Sequence, residues 1–347
     1  MHLDLSLKKS VHSKRVQQFF TKKGALIFQL PMEVFPDFWA YAYLIQYENY
    51  LVLIDTGSGY GVSNQHLQEN LRNVGITTNR IPIFKHLTHV FITHGHIDHF
   101  GGLPFVREQS KAIVGVHELD MRNVTNTEER LEIVSRRLDE FLLEAGIESD
   151  ERTFLNQLYK MTKLDYSSVP IDFTYEAIGM KEGPFEFIHV PGHCPGQVVI
   201  KIHDVIFSGD HILADISPHQ SPERLVLNTG LEHYLHSLDI LKNNSVDIAL
   251  TLGGHNSPIL DLSKRIDEIK RTHAERLDKI LRFMDNPRTI SEVSDFLFSN
   301  VSGYNLLLAL EETGAHIEYL YQRGFIGIAN LNSFSRKNQS PILYQRL

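Results

Sequence analysis

A single cysteine, Cys194, stands among the 347 residues, so no disulfide can form within the chain. That fits a reducing compartment and leaves the fold to rest on packing. No apolar run reaches the roughly 18 residues needed to span a bilayer. The first 24 residues also lack the continuous apolar segment of a secretory signal. These absences point to a cytoplasmic protein with no membrane partner. Positive charge is in deficit as well: 34 Lys and Arg against 42 Asp and Glu leave a net charge of -8. Affinity for nucleic acid depends mainly on Lys and Arg neutralising phosphates, so nucleic acid is not the favoured partner, although a local basic patch would still allow it. Otherwise the composition, 42% apolar and 22% charged, is that of an ordinary water-soluble globular protein. The length exceeds one comfortable core and calls for two domains or one domain with an appendage. Histidine, with 19 copies, is the unusual component.

From Ala25 onward, short apolar tracts of strand length (Ala25 to Leu30, Tyr41 to Gln46, Tyr50 to Ile54) are separated by turn-forming residues, which leaves 1–24 as an N-terminal extension. After Asp55-Thr56-Gly57-Ser58-Gly59, the residues Leu67, Leu71 and Val74 recur at helical spacing as far as Gly75, and a strand follows at Val90 to Thr93. Further strands are expected at Ile113 to Val116, Phe185 to Val190, Val198 to Ile202, Val205 to Phe207 and Ile248 to Leu252. The body of the chain, 25–260, therefore reads as a mixed α/β domain. Between about 125 and 168 the pattern changes to two helices. Leu131, Val134, Leu138, Phe141 and Ala145 share one face up to Gly146, and Phe154, Leu158 and Met161 repeat the spacing. Such a helical insertion suits either a cover over a cleft or a packing hairpin.

A long linker helix is expected over 261–284, with Leu262, Ile266, Ile269, His273, Leu277, Ile280 and Met284 three or four residues apart and Pro287 beyond its end. Within 285–347, Thr289-Ile290-Ser291-Glu292 reads as a capping box, and apolar helices continue to Gly324. Phe325 to Ala329 and Ile342 to Gln345 then read as a two-stranded wing, which is the order of a winged helix. This segment carries five basic residues (Arg288, Arg323, Arg336, Lys337, Arg346) and six acidic ones (Asp285, Glu292, Asp295, Glu311, Glu312, Glu318), a balance of -1. A DNA-reading domain would usually be basic.

Thr93 is followed by His94-Gly95-His96-Ile97-Asp98-His99-Phe100-Gly101-Gly102, which places four potential ligands within six residues at the end of a strand. Neutral imidazole and carboxylate oxygen suit borderline divalent ions such as zinc, and glycine lets neighbouring side chains converge. Three later sites share the setting, a ligand type just after an apolar strand: Pro191-Gly192-His193-Cys194-Pro195-Gly196, Ser208-Gly209-Asp210-His211 and Leu252-Gly253-Gly254-His255. Read alone, each is an ordinary turn.

Read together and in this order, the four motifs resemble the metallo-β-lactamase superfamily, over about Ala25 to Leu260. The resemblance implies an αββα sandwich with a metal centre at one edge of the paired sheets. It further implies that His94, His96 and His193 hold one ion, that Asp98, His99 and His255 hold a second, and that Asp210 bridges them. Two divalent ions are thus expected, zinc first, with iron or manganese as the alternatives. Asp55 matches an acidic residue that supports such a site from behind, although an aspartate before Thr56-Gly57 also suits a turn. Cys194 stands where threonine is common and reads as packed, not ligating. His211 and His219, close after Asp210, are candidates to line the cleft. Most other histidines, among them His2, His12, His66 and His273, are expected to be solvated or partly buried and to carry no chemistry. The added long helix and winged helix resemble the β-lactamase-like protein 2 group, in which the winged helix commonly packs beside the active site.

This reading implies hydrolysis by a metal-bound hydroxide, formed when a water held between two ions loses a proton near neutral pH. Asp98 would orient it and pass a proton to the leaving group. The fold family supports several chemistries. An apolar pocket wall from Phe35-Pro36-Asp37-Phe38-Trp39-Ala40-Tyr41 and the helical insertion would suit a small carbonyl substrate: an ester, a thioester or a lactone. The alternatives are a single-stranded RNA endonuclease of the same fold, a mononuclear iron redox enzyme, and a winged-helix binding protein. An exposed face of the long helix or the winged helix offers a surface for a homodimer.

Overall fold

The computed structural model describes residues 14–78, 83–162, 166–334 and 340–347. The expectations placed on His2, His12, Arg336 and Lys337 lie outside the described residues. Two sheets form the centre of the molecule. The first has seven strands in sequence order, β1 (Gln17–Phe20), β2 (Leu26–Phe35), β3 (Phe38–Tyr47), β4 (Tyr50–Ile54), β5 (His89–Phe91), β6 (Ile113–Val116) and β7 (Phe173–Thr174). It begins as an antiparallel meander and turns parallel from β4 onward. The second contains β8 (Lys181–Glu182), β9 (Phe185–His189), β10 (Val198–Ile202), β11 (Val205–Gly209) and β12 (Leu250–Gly253). It is antiparallel except for the parallel pair β11 and β12.

Side chains alternate along a strand, so an apolar run presents apolar groups to both faces. On β3, Tyr41, Tyr43 and Ile45 enter the core between the sheets, while Ala40, Ala42 and Leu44 enter the core on the outer face. On β4, Val52 and Ile54 face inward and Leu51 and Leu53 outward. The second sheet meets the first with Val198, Ile200, Val205 and Phe207, and turns Val199 and Ile206 the other way. Helices cover both outer faces. On the first sheet these are α1 (Ser63–Thr78), α2 (Ile97–Phe100) and α3 (Leu103–Gln109), with Leu67, Leu71, Phe100, Leu103 and Val106 in the core. Next in the chain come α4 (Glu118–Thr125), α5 (Thr127–Glu144) and α6 (Ser149–Met161). The second sheet is covered by α7 (Leu231–Asn243) and the first half of α8 (Leu262–Phe283), through Leu231, Tyr234, Leu238, Leu262 and Ile266. The result is a four-layered α/β sandwich.

The chain closes with α9 (Ile290–Leu297), α10 (Tyr304–Gln322), β13 (Ile326–Ile328), α11 (Leu331–Phe334) and β14 (Tyr344–Arg346). Thr289 and Glu292 form the capping box of α9. β13 and β14 pair antiparallel, and Arg288 adds a bridge to Tyr344. These elements share one apolar core with the α5–α6 hairpin: Leu138, Phe141, Leu142 and Leu155 pack with Ile280, Val293, Leu310 and Ile317. The inserted helices therefore form a packing hairpin joined to the C-terminal helices. Among the described residues, no helix is long and apolar enough to cross a membrane.

Three differences from the sequence reading have physical causes. Residues 17–20, within the expected extension, form an edge strand on β2, with Phe20 62% exposed, so no buried pattern announces it. On α6 the buried stripe is Leu155 and Tyr159, while Phe154 and Met161 are 55% and 69% exposed. Two adjacent stripes of that helix are apolar, and only contact with α5 and α10 selects between them. His273, expected to be solvated or partly buried, is fully buried.

The junction of α5 and α10 is close enough that a Cβ on Gly314 would lie 2.8 Å from the Phe141 ring, which is itself fully buried. Phe141→Ala should lower the unfolding free energy by about 3–5 kcal/mol, the usual range for emptying a buried aromatic site. Denaturant unfolding checks this, and a loss under about 1 kcal/mol would show that the junction collapses to fill the space.

Candidate metal centre

Every candidate ligand, and the supporting Asp55, follows the carboxyl end of a strand: Asp55 after β4, the His94 to His99 segment after β5, His193 after β9, Asp210 after β11 and His255 after β12. The structure brings the seven expected ligands into two adjoining groups. Ligand atoms of His94, His96 and His193 lie within 4.8 Å of one another, as do those of Asp98, His99, Asp210 and His255. Asp210 joins the groups, with Oδ1 3.4 Å from His99 Nε2 and Oδ2 3.2 Å from His255 Nε2 and 3.8 Å from His193 Nε2. Asp98 Oδ2 lies 3.3 Å from His255 Nε2. This crowding needs Gly254, because a Cβ there would stand 2.4 Å from Asp210 Oδ1.

The imidazoles are aimed from behind. His99 Nδ1 lies 2.8 Å from Asp55 Oδ2, His193 Nδ1 2.7 Å from the His219 carbonyl oxygen, and His255 Nδ1 2.7 Å from the Trp39 carbonyl oxygen. These oxygens can only accept, so Nδ1 carries the proton in each ring, and Nε2 faces the centre. His94 Nδ1 meets Thr93 Oγ1 at 3.0 Å, and that hydroxyl donates to Asp55 Oδ2 at 2.8 Å. Asp55 also accepts from the Thr93 backbone N–H at 2.8 Å, so one buried carboxylate ties β4 to the ligand loop. It does so at φ 58°, a left-handed conformation that costs a non-glycine residue on the order of 1 kcal/mol or more.

The same atoms reveal what the site lacks within the protein. His94 Nε2, His99 Nε2, His193 Nε2 and Asp210 Oδ1 are buried and make no hydrogen bond. A lone pair on His99 Nε2 facing a carboxylate oxygen at 3.4 Å is repulsive unless a proton or a cation lies between them. Burial opposes the protonated form of His255, but Asp210 and Asp98 outweigh it and lift the ring to about 10. His99 is raised in the same way, against burial, by Asp210, Asp98 and Asp55. Burial holds His94 and His193 in their neutral form. The donors therefore fit divalent cations: neutral imidazoles on one side, and two carboxylates that demand positive charge on the other.

Other candidates fall outside this inner set. His211 is fully buried, with neither ring nitrogen hydrogen-bonded, and its ring lies 5.3 Å from that of Tyr234. The His219 side chain is 25% exposed and lies 3.0 Å from Glu311. Strand β3 steadies the last loop: the Tyr43 hydroxyl donates to the Gly253 carbonyl at 2.5 Å, and the Tyr41 N–H donates to the Gly254 carbonyl at 2.8 Å. Part of the aromatic run thus supports the centre directly, and the Phe38 ring lies 4.7 Å from that of His255.

Asp120 is a residue the sequence reading misses. It is fully buried and accepts from the Gly95 N–H at 2.7 Å, and Cys194 Sγ lies 3.2 Å from it. A Cβ on Gly196 would come within 2.6 Å of its carboxyl carbon. Asp120 thereby clamps the His94 loop to the His193 loop. The only signal was the pair of glycines within the motifs, which marks close approach without naming the partner.

The metallo-beta-lactamase superfamily matches residues 40–255. Two solved structures are similar across nearly the whole chain. A metallo-beta-lactamase family protein from Thermus thermophilus is 24% identical, with 92% of this chain and 98% of that one covered and a TM-score of 0.72. A beta-lactamase domain protein from Burkholderia ambifaria is 18% identical, with 95% and 94% covered and a TM-score of 0.70. At these identities the likeness is one of fold. No curated protein matches the chain.

Asp120→Ala should lower stability by about 1–3 kcal/mol for each buried donor it leaves unpaired, and Asp120→Asn, which keeps an acceptor, by less. Thermal unfolding of the two variants checks this order, and equal losses would mean that one amide oxygen does not replace the carboxylate.

Proposed function

Because this chain belongs to the metallo-β-lactamase superfamily, we propose that it is a metal-dependent hydrolase holding two divalent ions and acting on a small ester, thioester or lactone. The observation that carries this is the convergence of buried, partnerless donor atoms on His94, His99, His193 and Asp210. In a resting protein such atoms would each cost free energy. Here each histidine is oriented by its other nitrogen, so the arrangement serves a cation.

In this reading His94, His96 and His193 would hold one ion, Asp98, His99 and His255 would hold the other, and Asp210 would be shared between them. Two bound ions would supply Lewis acidity toward the scissile carbonyl and an acidified water. The remaining work falls to the side chains. Asp98 is the more exposed of the two carboxylates at the centre, 15% against 11% for Asp210. Its Oδ atoms can accept a proton from the attacking water and return it to the leaving group. The Phe38 ring beside His255 supports an apolar wall suited to an acyl group.

We read residues 285–347 as a winged helix, with 261–284 as the helix that joins it to the sandwich of 25–260. The order α9, α10, β13, β14 and the Arg288–Tyr344 bridge support this reading. Its balance of -1 favours a role in building the site over reading DNA.

The test is elemental analysis of protein purified without added metal, with the same sample assayed on thioesters, lactones, phosphodiesters and single-stranded RNA. Two equivalents of zinc and chelator-sensitive cleavage of a carbonyl substrate are expected. One equivalent of iron, or preferred cleavage of RNA, would overturn the reading. With zinc supplied in excess so that both ions are held, Asp98→Asn should lose about 10²–10⁴-fold in kcat, the usual range for removing a proton-transfer group. Full turnover in that variant would remove Asp98 from the proton path.

A further inference from the structure

His273, Glu312 and His316 form a third buried group with metal-ligating atoms within 4.8 Å of one another. It fails the test that the other two groups pass. His273 Nδ1 pairs with His316 Nε2 at 3.1 Å, His273 Nε2 with Ser217 Oγ at 2.7 Å, and His316 Nδ1 with the Glu312 carbonyl oxygen at 2.7 Å. All four ring nitrogens are engaged, and Arg276 donates to Glu312 Oε1 at 2.6 Å, where an ion would have to bind. The group is a hydrogen-bonded network between α8 and α10, and it leads toward the metal centre.

Glu311 and Glu312 are both buried, 9% and 6% exposed, which glutamate tolerates only when its charge is paired. Arg276 pairs Glu312, and the free oxygen of Glu312 accepts the backbone N–H of Gln220 at 2.7 Å. Glu311 Oε2 accepts from Ser221 Oγ at 2.6 Å and lies 3.0 Å from His219 Nε2. Three consecutive loop residues, 219–221, are therefore held by two consecutive residues of α10. The first of them, His219, presents its carbonyl oxygen to His193 Nδ1 at 2.7 Å.

We propose that Glu312, together with Glu311, is a positioning residue for the metal centre, fixing the 219–221 backbone so that the His219 carbonyl orients His193. Helix α10 lies outside the family-matched residues 40–255, so the C-terminal helices become a working part of the centre. The inference rests on the reading of His193 as a ligand. Partners of this kind usually change metal affinity by about 10–100-fold.

The test measures both zinc affinities by competition with a chromophoric chelator, and the visible spectrum of the cobalt-substituted protein. Wild type and His193→Ala come first. If wild type binds fewer than two ions, or His193→Ala keeps both at wild-type affinity, the ligand assignment fails and the proposal fails with it. If that assignment stands, Glu312→Gln should weaken one ion by about 10–100-fold, alter the cobalt spectrum and leave the other ion's affinity unchanged. Should Arg276, left unpaired, prevent folding, the double variant Arg276→Gln/Glu312→Gln is measured in its place. Leu310→Ala disturbs the same helix without touching the loop and should leave both affinities unchanged. Wild-type affinities and spectrum in the Glu312 variants, or an equal loss in Leu310→Ala, would overturn the proposal.

Discussion

The structure depends on a set of histidines whose Nδ1 atoms are tied down so that their Nε2 atoms meet around two carboxylates. A buried lone pair facing a carboxylate oxygen, as His99 Nε2 faces Asp210 Oδ1 at 3.4 Å, is tolerable only if positive charge lies between them. Every tether behind the rings therefore matters. Asp55 fixes His99 and the Thr93 backbone together, Trp39 fixes His255, and His219 fixes His193. The tethers come from β3, from the residue after β4 and from the loop before α7, so no single segment could build the centre. Two sheets must pack face to face before their strand ends come within reach of one another.

The rest of the architecture supplies that rigidity. Strands that are apolar on both faces force four layers, and the core between the sheets, Tyr43, Phe91, Phe187 and Phe207 among it, sets how closely the strand ends approach. The fourth core, shared by the α5–α6 hairpin and the C-terminal helices, lies apart from the sheets. It still bears on the centre, because α10 carries the two buried glutamates that hold the His219 loop. Burial alone would push the Glu312 carboxyl up, but Arg276, His316, His273 and His219 hold it at about 2, so it stays ionised. A fixed negative charge is a stiff anchor for a loop N–H.

Much of this was legible in the sequence, because the signals were local. The strands of the sandwich follow from short apolar runs, and β4, β6 and β10 end where the runs end. The candidate ligands follow from four motifs, and Asp55 was visible as an acid at a strand end. What stayed hidden depends on contacts far apart in the chain. Asp120 meets Cys194 across 74 residues, and Glu312 meets Gln220 across 92. Neither stands in a motif. The face of α6 was misread because Phe154 and Leu155 offer competing stripes, and only α5 and α10 choose between them. His211, beside Asp210, is fully buried, as are His94 and His99.

The most direct test of the central claim is anomalous scattering at the zinc absorption edge from crystals grown with zinc. Two peaks are expected, one among His94, His96 and His193 and one among Asp98, His99 and His255, with Asp210 between them. A single peak, or a peak at His273, Glu312 and His316 with none at the strand ends, would contradict it.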